Sequence, residues 1–280
     1  MQLTLSVRIA ESHRDKRHAT ASLAQLVGLA AAHGYGALCM RASQVGVHST
    51  TRQVEDAVTT VTDAGLSVSM LTGDFAIPEN GEAGPGALRH ITPYLDLADR
   101  FGSDLLRISM QTDEDVVWAQ QACDEAAERG HRLAHQCHTG SPFEEVEASL
   151  ELIARIGRRN FGLIYEPANL QLCGQDYLAA IDRLRPHILN VYVQNQRLAP
   201  AGETSSVTWC CGEVHYDLVP MWEPGDIDFA AVIDRLRDVG YDGYVTVHQA
   251  FAGHNGAADG AGRSAAYLHS VGVATSATSG

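Results

Sequence analysis

A short apolar run near the C-terminus, "GYVTVH", stops in two polar residues, His248 and Gln249. A buried strand has little use for an imidazole at its end, so that position must face something polar. The same habit recurs along the chain. "ALCM" runs into Arg41 and Ser43, "LSVSML" into Asp74, and "DLLRISM" carries Arg107 and Ser109. "HRLAHQC" carries Gln136 and leads to His138, "FGLIYE" ends in Glu166 with Asn169 just beyond, and "HILNVYV" holds Asn190 and Tyr192 before Gln194 and Asn195. Arg41 and Arg107 are the cations of this set, and an arginine can hold a carboxylate, a phosphate or several hydroxyls. Arg107 could equally pair with Asp74 and brace the fold. His138 lies two residues beyond Gln136 and so on the same strand face, where it reads as a general base, a substrate contact or a hydrogen-bonded lining residue. His131 and His135 sit before the strand or point away from that face and read as structural.

Convergence of so many polar ends requires a particular arrangement of elements. Apolar runs rich in Val, Ile and Leu alternate with stretches of helical period, from "LTLSV" with "SLAQLVGLAAAHG" to "FAAVIDRLRDVG" with "GYVTVH". The alternation predicts eight parallel strands with intervening helices. Several helices should close in a left-handed cap at Gly34, Gly65, Gly102, Gly130 and Gly240. Eight units in about 250 residues, with no GxGxxG and no Walker loop, favour an α/β fold of the (β/α)8 TIM-barrel type over a doubly wound sheet. In such a barrel the C-terminal strand ends meet at one mouth. Residues 1–262 are expected to form one barrel domain, and 263–280 a C-terminal tail, partly disordered. Residues 198–226 read as a long loop covering the mouth, with Trp209, Tyr216 and Trp222 as a stacking wall over it and His215 in reach of the site.

Composition narrows the partners. A net charge of −14 and a single lysine, Lys16, argue against nucleic-acid or anionic-membrane binding and for a small-molecule partner. The six cysteines show no paired spacing, no apolar run approaches the length of a bilayer span, and the first residues do not resemble a signal peptide, so a reduced, cytoplasmic chain is expected. Cys210 and Cys211 lack a second Cys or His pair at ligand spacing and read as loop residues. Homo-oligomerisation is left open.

"FGLIYEPANL", "HILNVYVQNQ" and above all "EPGDIDFAAVIDRLRDVGYDGYVTVH" resemble the last three strands of the xylose-isomerase-like sugar isomerase and epimerase superfamily. The resemblance extends from about residue 3 to 250. It implies a barrel with a divalent metal at its mouth, usually held by Glu, Asp, His and Glu from strands five to eight. On those positions this chain has Gln136, Glu166, Tyr192 and His248, which leaves one carboxylate of three. The resemblance therefore implies either a remodelled ligand set of Glu166, His248 and an amide oxygen of Gln136 or Gln194, with His138 beside it and Mn, Zn, Co or Fe favoured over Mg by the imidazole, or a barrel that has lost the metal and uses the same polar ring for hydrogen bonding alone.

Superfamily chemistry is proton abstraction next to a carbonyl. The implied activity is that of an isomerase or epimerase of a sugar or keto-sugar. A lyase or hydratase that eliminates a substituent from a 3-oxo-sugar or glycoside is the alternative, and a non-catalytic sugar-binding barrel is a third. His138, Glu166 and His248 are the catalytic candidates, and Arg41, Arg107, Asn169, Gln194 and Trp222 the candidates for holding a carbohydrate substrate.

Overall fold

The computed structural model describes residues 1–11, 18–73, 83–199, 205–251 and 256–274. Asp74 and Lys16 therefore lie outside the described residues. The strands are β1 (Gln2–Ser6), β2 (Ala37–Arg41), β3 (Ser67–Thr72), β4 (Leu105–Ile108), β5 (Arg132–Gln136), β6 (Phe161–Tyr165), β7 (Ile188–Val193), β8 (Asn195–Leu198), β9 (Ser205–Trp209), β10 (Gly212–Val219) and β11 (Tyr244–Val247). β1 to β7 and β11 close into the expected barrel, every neighbouring pair parallel.

These strands are buried on both faces, which is why they read as continuous apolar runs rather than as alternation. Outward side chains meet the helices. Inward ones stack as Cys39, Met70, Leu105, Ala134, Ile164 and Tyr192. Polar residues inside the barrel pair across it, Thr4 Oγ1 with Ser69 Oγ at 3.0 Å and Thr246 Oγ1 donating to Asn190 Oδ1 at 2.9 Å. Asn190 thus belongs to the barrel interior.

Local chemistry sets the helix ends. Ser22 and Thr50 close capping boxes with Gln25 and Gln53 at the starts of the helices Leu23–Ala32 and Thr51–Thr62. The five glycines expected as caps all have positive φ, Gly102 at 63° beyond the helix Thr92–Phe101 among them. There a side chain would strain the backbone.

Two segments differ from expectation. Residues 198–226 are not an open loop: β8, β10 and β9 form a three-stranded antiparallel sheet, with Tyr216 opposite Leu198 on one side and Ser205 on the other. "SSVTW" and "GEVHYDLV" alternate with period two, and Cys210 and Cys211 occupy the turn between them, before Gly212 at φ 111°. The tail is also shorter than expected. The helix Gly256–Ser270 crosses the boundary placed at residue 263 and buries Ala261, Ala265 and Leu268 against the barrel. Tyr35 Oη donates to Ala261 O at 2.8 Å, and Val273 is buried beyond the helix. Residues 275–280 lie outside the described residues. Among the described residues no helix is long and apolar enough to cross a membrane.

Candidate active site at the barrel mouth

The mouth holds a cavity of about 360 Å³, floored by strand ends and roofed by the small sheet. Val207 and Trp209 of β9 and Tyr216 and Leu218 of β10 form the roof, two residues apart on each strand as a pleated face requires. His215 lies on the opposite face of β10, its Nε2 3.7 Å from Glu213, and so does not reach the site. Two amides fasten the sheet to the barrel rim. Gln249 Nε2 donates to Val219 O at 2.7 Å while its Oε1 accepts from Asn195 N, and Asn195 Nδ2 donates to the carbonyls of Pro220 and Glu223. Gln249 and Asn195, polar strand ends in the sequence, thus anchor the roof.

Glu166 is the single carboxylate lining the cavity among the described residues. It is fully buried where β6 turns into the helix Pro167–Leu172. Its Oε2 accepts from the Gln136 amide and from Asn169 Nδ2 at 2.9 Å, and Asn169 is itself held by a bond to Cys137 O at 2.7 Å. Its Oε1 is buried without a hydrogen-bond partner. Burial raises its pKa to about 7, against the opposing pull of the Gln136 bond and of Arg107 and Arg8. A carboxyl near neutrality can both take and return a proton.

His248 also lines the cavity, but its ring lies flat on Tyr192, with centroids 3.7 Å apart and planes 9° apart, and its Nδ1 is 3.1 Å from Ser6 Oγ. Burial, with Arg8, Arg41 and Arg107 nearby, pushes its pKa well below the usual histidine range, so the ring is neutral. Tyr192 turns its hydroxyl inward, 3.5 Å from Cys39 Sγ. His138 lines the cavity with Nδ1 2.9 Å from Thr139 O, and Gln194 is a further lining residue.

The cationic side of the site was only half visible in the sequence. Arg107 lines the cavity, buried, with Nε and Nη1 free of hydrogen-bond partners and its guanidinium 5.9 Å from the Tyr192 ring centroid. Arg8, which follows β1, lines it too. The end of β1 turns polar in the same way, "LTLSV" running into Arg8, which is the signal in the sequence that marks it. Arg41, expected to hold substrate, is taken by an internal partner: its Nε donates to Glu11 Oε1 at 2.7 Å, and Ser43 Oγ donates to the same oxygen at 2.7 Å. Trp222, expected in the wall, lies away from the cavity. The chain turns at Pro220 and Met221 and stacks Trp222 on Phe251, centroids 5.6 Å apart, with the Arg263 guanidinium 4.2 Å over its other side. His135 is structural as expected, stacked on Phe143 at 4.3 Å, and His131 Nε2 is 2.7 Å from Asp99 Oδ1.

A divalent ion on Gln136, Glu166 and His248 does not suit this charge distribution. One lining carboxylate faces two guanidinium groups, of which Arg8 also lies 3.8 Å from Glu11, and these cations would repel a dication in the same low-dielectric space. Gln136 directs its amide nitrogen at Glu166 while its Oε1 is buried without a hydrogen-bond partner, and Tyr192, where the resemblance expects a histidine ligand, turns its phenol toward Cys39. Arg8 and Arg107 bring positive charge to the same cavity.

Comparison with known proteins agrees with this fold. The probable 3-DHS dehydratase AsbF of Bacillus anthracis superposes with a TM-score of 0.74 over 96% of this chain and 99% of its own, at 17% identity. A D-allulose 3-epimerase of Methylomonas sp. gives 0.70 over 97% and 98% at 12% identity. A xylose isomerase-like barrel of Mycobacterium smegmatis, solved with magnesium, gives 0.71 over 96% of each chain at 14% identity. In sequence, an inosose dehydratase of Lactiplantibacillus plantarum is 24% identical over 124 residues, 44% of this chain, and the match spans 41% of the length of that relative. The neighbours thus include dehydratases and an epimerase. The family model described as xylose isomerase-like TIM barrel matches residues 27–271, and with the closed barrel and its polar mouth this places the chain in that family.

Proposed function

We propose that this barrel is a lyase that removes water from an anionic keto-polyol, beginning with proton abstraction next to the carbonyl. The observation that carries the reading is the pairing, in one cavity, of a buried carboxyl with a pKa of about 7 and a buried arginine with two unpartnered N–H groups. A buried guanidinium with no ion pair among the described residues suits an anionic ligand, and its fork fits a carboxylate or an enolate oxygen. The cavity has room for one sugar-sized ring.

Glu166 Oε1 takes the proton from the carbon beside the carbonyl, and the bonding pair moves onto the carbonyl oxygen. The N–H groups of Arg107 hold the negative charge that develops there. The carbonyl then re-forms, its pair makes the new carbon–carbon double bond, and the β-hydroxyl departs as water with the proton from Glu166. Arg8 holds the anionic group of the substrate, and Trp209 with Leu218 excludes bulk water. Epimerisation would need a second base on the opposite face. Elimination needs one group that accepts and then donates, which is what a lone carboxyl near neutrality provides.

Incubation in D2O with inosose and with 3-DHS, the compounds in the names of two relatives, tests the reading. Loss of water from 3-DHS, the anionic compound of the two, with little from neutral inosose, and abolished in Glu166→Gln, is the expected result. Inversion with deuterium incorporation and no water loss would establish an epimerase instead, and neither exchange nor turnover would leave a binding barrel.

A further inference from the structure

The geometry points to a second site: Glu144, Cys173 and Cys210 form a binding site for a soft divalent cation of the zinc class, where the tip of the roof meets the barrel. Cys173 caps the end of the helix Pro167–Leu172, and Cys210 sits in the β9–β10 turn. Their sulfurs are 3.4 Å apart. One carboxylate oxygen of Glu144 completes a triangle in which all ligand atoms lie within 4.8 Å of one another, and no other cluster of three such side chains occurs among the described residues.

A tetrahedral zinc bound to sulfur at about 2.3 Å spaces two thiolates by about 3.8 Å, so a few tenths of an ångström of adjustment would seat the ion. Thiolates select a soft ion over Mg or Ca. The carboxylate is already aimed: Glu144 Oε1 accepts from Gly140 N at 2.6 Å and Oε2 from Cys210 N at 2.5 Å, so both the roof tip and the loop after β5 are bound to it. Cys173 is buried, whereas Glu144 and Cys210 line an open surface cleft of about 740 Å³, which provides an entry path. Water from the cleft would supply the fourth ligand of a tetrahedral site.

Binding displaces two thiol protons to solvent and involves no change of redox state. The consequence is mechanical. The helix that ends at Cys173 begins one residue after Glu166, and the turn that carries Cys210 follows Trp209, so an ion here would pin the roof over the cavity.

Cobalt(II) is the probe, added to reduced, ion-free, full-length protein. One equivalent should bind with a thiolate-to-cobalt charge-transfer band that zinc displaces, and zinc should raise the melting temperature. Cys173→Ser and Cys210→Ser should each weaken binding by roughly 100-fold and Glu144→Gln by roughly 10-fold, within the range over which single contacts set metal affinity. Glu166→Gln should leave the band intact, which separates this site from the mouth. Absence of the band in the parent, or its survival in the double variant Cys173→Ser/Cys210→Ser, would overturn the inference.

Discussion

Glu166 and Arg107 carry opposite charges into one dry cavity, and each can be tested by what its burial costs. The pKa of Glu166 is raised from 4.5 to about 7, so the folded state binds its proton more tightly than the unfolded chain does. Its contribution is therefore favourable below pH 4.5 and lost as pH rises through 7. Glu166→Gln keeps an oxygen that accepts from Gln136 and Asn169 and removes the buried charge. We expect this variant to be more stable than the parent at pH 8, by on the order of 3 kcal/mol at most, and equal to it below pH 4.5. Thermal melts at the two pH values check this. The same variant should lose turnover by roughly 100- to 10,000-fold, the range for removing a general base. In the parent, kcat should rise with pH through about 7 as Glu166 ionises.

Arg107→Gln should lower kcat/KM by at least roughly 100-fold, since a donor to developing oxyanion charge is removed. Its melting temperature should not fall, because a buried cation with two unpartnered N–H groups stabilises the fold little. Magnesium or manganese added to ion-free protein should leave kcat unchanged. A rise of tenfold would show that the arginines do not stand in for a mouth metal.

At the scale of elements, the roof and its anchors determine who enters. Gln249 makes two hydrogen bonds to it, through Val219 O and Asn195 N. Gln249→Leu fills the space but leaves both backbone groups unpaired, at a cost of about 1–3 kcal/mol borne by the small sheet rather than by the barrel. The expected result is a raised KM, faster proteolysis within residues 205–219 and a nearly unchanged melting temperature. Unaltered kinetics and proteolysis would show that the sheet is held by something else. The barrel strands were legible because both their faces are buried, and the helices because their caps are local. The roof was not. Its strands are only partly buried and joined by a Cys-Cys turn rather than an Asn-Gly or Asp-Gly pair, so their alternation was hidden in what reads as loop composition.

For the whole molecule, the C-terminal helix is part of the barrel wall. Leu268 is fully buried, and the chain end returns to β1 through the bridge between Gln2 and Ala274. Leu268→Ala should cost about 2–5 kcal/mol, the range for opening a cavity in a packed core. A chemical denaturation midpoint within error of the parent would show that residues 256–274 are a dispensable tail.

The number of barrel units, their order, the glycine caps and the polar ends of the strands followed from the sequence, because each depends on residues within one turn or one strand. Sequence also placed Gln136, Glu166, His138 and His248 at one mouth, since strand ends in this fold share a side. What those residues can do was decided by contacts across long stretches of chain. Arg41 is neutralised by Glu11, thirty positions away, which Arg8 also approaches at 3.8 Å, while Arg107 keeps Nε and Nη1 without hydrogen-bond partners in the cavity that Glu166 lines. Cys210 finds its partner in Cys173 rather than in its neighbour Cys211, because the roof folds back onto the helix after Glu166. Charge and proton affinity depend on distance and burial in three dimensions, and periodicity along a chain carries neither.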